Sequence, residues 1–292
     1  MHAPVLLKEI LEIFNPRPGE TYIDATVDGG GHAQAIAERV GLKGKVLGID
    51  RDCEIVSKIE NQISDRNIKL ICGNYRDIAE IAGRNGFGGV NGILFDLGFS
   101  SYHIEQSGRG FSFQKDEPLD MRYNPEQGGL AAGEIVNRWP EVQLADVLRK
   151  FGEERFAGRI ARGIAEARIK RKILSATALA EIIARAVPRA YRRGRLHPAT
   201  RTFQALRIAV NRELEILAEA LPQAALLLAP GGRIAVIAYH SLEDGIVKRF
   251  MREEKRAGVM RLWAQKPIRP SRTEIIQNPR SRSARLRAAI KI

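Results

Sequence analysis

Carboxylates and glycines gather in one short stretch, Thr21 to His32 (TYIDATVDGGGH). Asp24 and Asp28 precede or abut three consecutive glycines, Gly29, Gly30 and Gly31, and His32 follows them. Such glycines let the backbone turn with positive φ and let a ligand approach where no Cβ stands. Asp50 lies about 20 positions further on, where a carboxylate can take a ribose hydroxyl. The spacing bears on which ligand. A dinucleotide fingerprint needs a small residue three positions after its second glycine, and counting from Gly29 and Gly31 that place holds Gln34. A pyrophosphate would also meet Asp24 and Asp28 with no basic residue in the turn to offset them. An acidic glycine turn suits a cofactor carrying a sulfonium and an ammonium, which favours S-adenosylmethionine over NAD. On the turn alone, a dinucleotide enzyme and a glycine turn without a ligand stay open.

The elements around these residues are those of a βαβ unit. Tyr22 to Val27 is apolar and β-branched, which suits a strand. Ala33, Ile36, Ala37 and Val40 recur at helical spacing. Lys45 to Asp50 reads as a second strand, 53–63 as a helix, 68–73 as a third strand, 76–86 as a helix and 90–98 as a fourth strand. This alternation predicts a doubly wound, mostly parallel sheet with helices on both faces. Ligands on such sheets sit beyond the carboxyl ends of the strands, which brings together Asp24 through His32, Asp50, Asn74-Tyr75 and Asp96. From Ser100 to Gly129 the rhythm gives way to a long polar loop with Phe111, Phe113 and Tyr123, and 131–187 is helical throughout. The pattern resumes with one long helix over 199–221, a strand over 230–240 and a helix opened by a Ser241/Asp244 capping box. Two last strands around a basic loop close the chain. The fold class expected is α/β: a Rossmann-like domain, residues 1–103 and 205–292, interrupted by an all-helical insert, residues 104–204.

Composition narrows the partners. The 292 residues are 44% hydrophobic, enough for one large or two modest cores. No apolar run reaches the ~18 residues of a membrane span, and the start lacks a signal-peptide pattern; a cytoplasmic protein with no membrane partner is expected. Cys53 and Cys72 give no framework of bridges and no metal-ligand cluster, and both are read as structural. The formal charge of +13 is unevenly spread: net −3 over 1–100, +7 over 101–204 and +9 over 205–292. An acidic cofactor half joined to a basic remainder points to a polyanionic partner, RNA or DNA. The bland alternative is a solvated basic surface.

The strings HAPVLL, DATVDGGGH, GIDRD, FDLGFSS, GRGFSFQKDEPLDMR, FGEERFAGRIA, HPATRTFQALRIAVN, APGGRIAVIAYHSLEDGIVKRFM and NPRSRSARLR run in order from end to end. On these the chain resembles the bacterial 16S ribosomal RNA cytosine-N4 methyltransferases. The resemblance implies a methyltransferase domain split by a helical domain. It also implies methyl transfer from S-adenosylmethionine to the N4 amine of a cytosine in the decoding region, with 16S ribosomal RNA or the small subunit as partner. A second copy of the chain is a further option. Cofactor contacts would fall on Gly30, Gly31, His32, Asp50, Tyr75, Asp96 and His103. The sequence departs from the family at Asp28, usually glycine, at Tyr75, commonly phenylalanine, and at His103, commonly glutamine.

Cytosine N4 is a poor nucleophile because its lone pair is delocalised into the ring. Catalysis must align it and accept its hydrogen bonds. Many DNA amino-methyltransferases carry an Asp/Asn/Ser-Pro-Pro-aromatic motif after strand four. Here that place reads Asp96-Leu97-Gly98-Phe99, so Asp96 would accept from the cofactor or the amine and Phe99 would stack on the flipped base. Against this stands a strand-end aspartate capping its own turn beside a core phenylalanine. His32 either caps the turn or touches the cofactor, and His240 either packs or faces the base. Arg109, Arg122, Arg189, Arg192, Arg193, Arg195 and Arg201 are candidate phosphate contacts, the Arg189–Arg195 cluster foremost. A non-catalytic RNA-binding assembly factor on the same fold is the alternative function; a Rossmann dehydrogenase fails on glycine spacing.

Overall fold

The computed structural model describes residues 4–63, 67–98 and 100–292. Among them seven strands form one sheet: β1 (Thr21–Asp24), β2 (Lys45–Asp50), β3 (Ile68–Cys72), β4 (Val90–Asp96), β5 (Leu228–Ala238), β6 (Met260–Leu262) and β7 (Arg285–Lys291), in the order β3-β2-β1-β4-β5-β7-β6. Neighbours from β3 to β5 are parallel, and β7 runs antiparallel to β5 and β6. The central strands are buried on both faces, as expected of a parallel sheet covered by helices, and read as near-continuous apolar runs. The order reverses between β1 and β4, the switch point where such sheets bind ligands.

Before the end of β4 come the helices α1 (Leu7–Phe14), α2 (Gly31–Val40), α3 (Cys53–Glu60) and α4 (Ile78–Arg84). Beyond it come α5 (Ser101–Glu105), α6 (Ala132–Arg138), α7 (Glu141–Gly152), α8 (Ala157–Lys170), α9 (Ala176–Ala186), α10 (Arg189–Arg192) and α11 (Thr200–Asn211). The chain then returns to the sheet through α12 (Glu213–Leu227), α13 (Ser241–Arg256) and α14 (Arg272–Gln277). Ile23, Leu47, Ile93, Phe95 and Val236 of the sheet pack with Ile78, Leu217, Leu221, Val247 and Met251 of the helices in one core.

Residues 1–99 and 214–292 form one compact unit and 100–213 a second. The second unit therefore reaches nine residues beyond the predicted 204 and begins four before 104. The reason lies in the stretch 199–221, which is two helices instead of one: Arg212 takes a left-handed φ of 52° between α11 and α12. The apolar periodicity runs through this break and hides it. The predicted loop over 100–129 is folded within the second unit. The Arg109 guanidinium donates to the carbonyls of Arg122 (3.2 Å) and Tyr123 (2.6 Å), and Asn211 accepts the Tyr123 N–H and donates to Met121 O. Phe111 and Tyr123 stack at 5.5 Å.

Two local expectations are corrected. Cys53 and Cys72 form a disulfide, with Cα atoms 5.0 Å apart; the first residue of α3 and the last of β3 meet although 19 positions separate them. The capping box of α13 is made by His240 and Glu243, one residue earlier than predicted, because His240 keeps an extended backbone and its Nδ1 accepts the Glu243 N–H.

Candidate active site

The turn after β1 is built as the glycines require. Gly30 has φ of 77° at the start of α2, and its N–H donates to Val27 O at 2.7 Å. Asp28 also stands in the left-handed region, at φ 43°, a conformation Asp tolerates better than most residues and glycine adopts freely. That accounts for the glycine usual in the resembled family. Asp50, closing β2, ties this turn down: its Oδ2 accepts the Asp28 N–H (3.0 Å) and its Oδ1 the Asp52 N–H (2.9 Å).

Asp24 is 1% exposed, and its Oδ1 accepts the Thr26 N–H at 3.2 Å. Burial pushes its carboxyl up to about 8; the Thr26 N–H opposes the shift, and the carboxylates of Asp96, Asp50 and Asp28 add to it. Asp96 ends β4, with its N–H donated to Thr26 Oγ1 at 2.6 Å. Its side chain is 21% exposed, yet Oδ1 is shut away from solvent without a hydrogen-bond partner. Burial raises the Asp96 carboxyl to about 7, against the pull of hydrogen bonds from the Tyr239 hydroxyl and the Gly98 N–H. Tyr239 is itself pushed well above its ordinary range by burial and by Asp96. Its ring presses on Gly98 so closely that a Cβ there would lie 2.9 Å from Cε2. His32 is buried, with Nε2 3.7 Å from Asp96 Oδ2 and neither ring nitrogen hydrogen-bonded. Burial lowers it to about 4, so the imidazole is neutral near pH 7.

Gly30, Gly31, His32, Asp50 and Asp96 thus meet at the carboxyl edge of the sheet. Tyr75, just past β3, stands edge-on to Phe95 at 5.6 Å. Phe99 lies outside the described residues. His103 belongs to the second unit, buried, its Nδ1 accepting the Ser100 N–H and its ring 4.9 Å from both Phe111 and Tyr123. His240 is folded onto the start of α13 as its cap. Among the arginines, Arg109 serves backbone carbonyls and Arg122 pairs with Asp120 at 2.6 Å. Arg201 donates to Glu153 O, and Arg192 to Val187 O and Arg185 O. Arg189, Arg193 and Arg195 are exposed. Sequence reasoning missed Tyr239, Thr26 and Glu243. The signal available was the alternation along β5, which sets Tyr239 beside the end of β4 once Asp96 is paired with Ile237.

A doubly wound sheet with an acidic, glycine-turned switch point and a buried carboxylate at the end of β4 defines a Rossmann-like methyltransferase. The profile of the MraW methylase family matches residues 1–292, and the chain belongs to that family. It is 48% identical over 308 residues to ribosomal RNA small subunit methyltransferase H of Thermomicrobium roseum, covering 100% of this chain and 94% of that protein. The proteins of the same name from Heliobacterium modesticaldum (43% over 310 residues; 100% and 98% covered) and Syntrophotalea carbinolica (43% over 305; 98% and 96%) are similar to it.

Proposed function

We propose that this methylase transfers a methyl group from S-adenosylmethionine to the N4 amine of a cytosine in the decoding region of 16S ribosomal RNA. The substrate places the reaction in the cytoplasm, where ribosomes assemble; among the described residues no helix is long and apolar enough to cross a membrane. The names of the relatives support ribosomal RNA as substrate and the enzyme over a non-catalytic assembly factor.

The observation that carries the reading is Asp96 at the carboxyl end of β4, where donor and base must meet: a carboxylate largely withdrawn from water whose side chain stays 21% exposed. A half-desolvated acceptor gains from an amine N–H that reaches its open side. The residues present also fit the cofactor: Asp24, Asp28, Asp50 and Asp96 surround the turn, and no Lys or Arg lies between Thr21 and His32. Asp50 would hold the ribose hydroxyls, the turn glycines would admit the adenosyl portion, and the sulfonium would supply an electrophilic methyl. Asp96 would orient the N4 amine, localise its lone pair, gain strength as that nitrogen turns pyramidal and positive, and accept the proton the nitrogen sheds as it gains the methyl. Such differential binding raises the chemical step more than it tightens substrate. Neutral His32, 3.7 Å away, and the buried Tyr239 shield part of the Asp96 side chain from water.

Asp96→Asn keeps the shape and one acceptor and removes the charge. Single-turnover transfer of labelled methyl at saturating cofactor and RNA should fall by about 10²-fold or more, with RNA binding intact. Normal transfer would remove Asp96 from the reaction; lost cofactor affinity with a normal saturated rate would make it a cofactor clamp only.

A further inference from the structure

In the second unit most arginines already have a partner. Arg122, Arg138, Arg149, Arg162, Arg185 and Arg207 face carboxylates, and Arg109, Arg168, Arg192 and Arg201 donate to backbone carbonyls. Arg155, Arg159, Arg189, Arg193 and Arg195 have neither kind of partner among the described residues and are exposed; Arg171 and Arg212, at helix ends, are the other two. Those five stand on or beside α8 and α10, and two of them lie against an aromatic pair. Phe156 and Tyr191 meet edge-to-face at 4.9 Å, and the Arg155 guanidinium lies 4.8 Å from both ring centroids, with Arg159 5.8 Å from Phe156. The platform is fixed from below. The Tyr191 hydroxyl donates to Glu154 at 2.6 Å, and that carboxylate is 2% exposed. Burial and Glu154 push the hydroxyl up to about 12, so the ring is neutral and anchored. Arg159 also lines a cleft of about 510 Å³ with Gly158, Arg162 and Gly163 of α8 and the carboxylates of Glu141 and Glu166.

We propose that this face of α8 and α10 docks an unpaired RNA segment, whose bases stack on the Arg155–Phe156–Tyr191 platform while its phosphates meet the surrounding arginines. Each part has a counterpart in single-strand recognition: a stacking surface that tolerates any base, and cations that follow the backbone. Planar guanidinium is the cation suited to the first task. One guanidinium held against two rings gives this face a planar surface that scattered solvated charges lack. The inference rests on the proposed ribosomal RNA substrate and adds to it which face of the helical unit holds that RNA, and in what form.

The test is equilibrium binding of a labelled small-subunit ribosomal RNA segment, unpaired or annealed to its complement, over a salt series. The wild type should prefer the unpaired form. Arg155→Gln with Arg159→Gln should bind it about 10-fold or more weakly. The slope of log K against log salt should drop in magnitude by about 0.7 for each phosphate no longer neutralised. Arg155→Lys should keep the slope and lose the preference for the unpaired form, and Tyr191→Phe, which keeps the ring, should retain it. Melting temperatures within a degree or so of wild type for the arginine variants show that the fold is kept. Unchanged affinity and slope in the double variant, or an Arg155→Lys protein with wild-type strand preference, overturns the docking face. Methyl transfer by the wild type is scored separately: its absence removes the proposed reaction, whereas slope and strand preference decide the docking face.

Discussion

At the carboxyl edge of the sheet, Asp24, Asp96 and His32 are withdrawn from water and their charged forms are disfavoured. On the helical unit, Arg155, Arg159, Arg189, Arg193 and Arg195 are exposed and make no ion pair among the described residues. The first arrangement stores electrostatic cost that a cationic ligand or an amine relieves, acts over hydrogen-bond distance, and is little screened by salt. The second acts over about a Debye length and is weakened by salt. One region is therefore built to discriminate and the other to attract. The units share the charge accordingly: residues 100–213 carry 21 basic against 13 acidic residues, residues 1–99 carry 11 against 14.

The comparison breaks most visibly at Asp50. Asp50→Ala removes a carboxylate that both fits a ribose and holds the Asp28 and Asp52 amides. Titration calorimetry should show S-adenosylmethionine affinity falling by at least about 100-fold, from losses of roughly 1.5–3 kcal/mol per charged hydrogen bond. Unchanged affinity would move the ribose site elsewhere.

Tyr239→Phe should act through pH. The hydroxyl stabilises the Asp96 carboxylate, so its loss raises that carboxyl further above about 7. The acid limb of the single-turnover rate should then move up by about one pH unit, a loss near 10-fold on the limb that fades toward alkaline pH. A uniform loss at every pH would make Tyr239 a packing residue only.

A smaller effect is expected for Asp24→Asn on stability. A carboxyl that titrates at about 8 in the fold and ordinarily at 3.8 binds its proton more tightly when folded. Its contribution is whole below the ordinary value and is lost as pH rises through the folded one. The variant should melt like the wild type near pH 4 and a few degrees higher at pH 9 in the absence of cofactor. The smallest change is expected where arginines are already paired and stand off the proposed face: Arg138→Gln with Arg149→Gln should leave RNA affinity within about twofold, because these residues lie on α6 and α7 beside carboxylates. A large loss there would erase the distinction between paired and unpaired cations.

What could be read from the sequence follows the range of the interactions involved. The glycine turn, α2 and Asp50 are set by neighbours within a few residues and stand where the pattern places them, whereas β1 ends at Asp24, three residues short of the expected Val27. Asp96 was legible as a strand end. Its environment was not, because Tyr239 and Thr26 reach it only through the β4–β5 and β1–β4 pairings. The break at Arg212 leaves no trace in apolar periodicity. Arginine runs show in the sequence as charge alone; whether a guanidinium faces a carbonyl, as in Arg109, or a pair of rings, as in Arg155, depends on the packing of helices.

The Cys53–Cys72 bridge bears on the outermost strand. Among the described residues β3 has a neighbour on one side only, and such edges fray first and offer open amides to other chains. A cross-link over 19 positions limits the unfolded chain by roughly 3 kcal/mol in a loop-entropy account. It clips the far end of β3 to the helix that follows Asp50, next to the residues leading to Tyr75. Reduction should therefore show first as faster amide exchange along Ile68–Cys72, with the central strands unmoved, and the acid-lined edge would lose its outer wall before the fold lost its core.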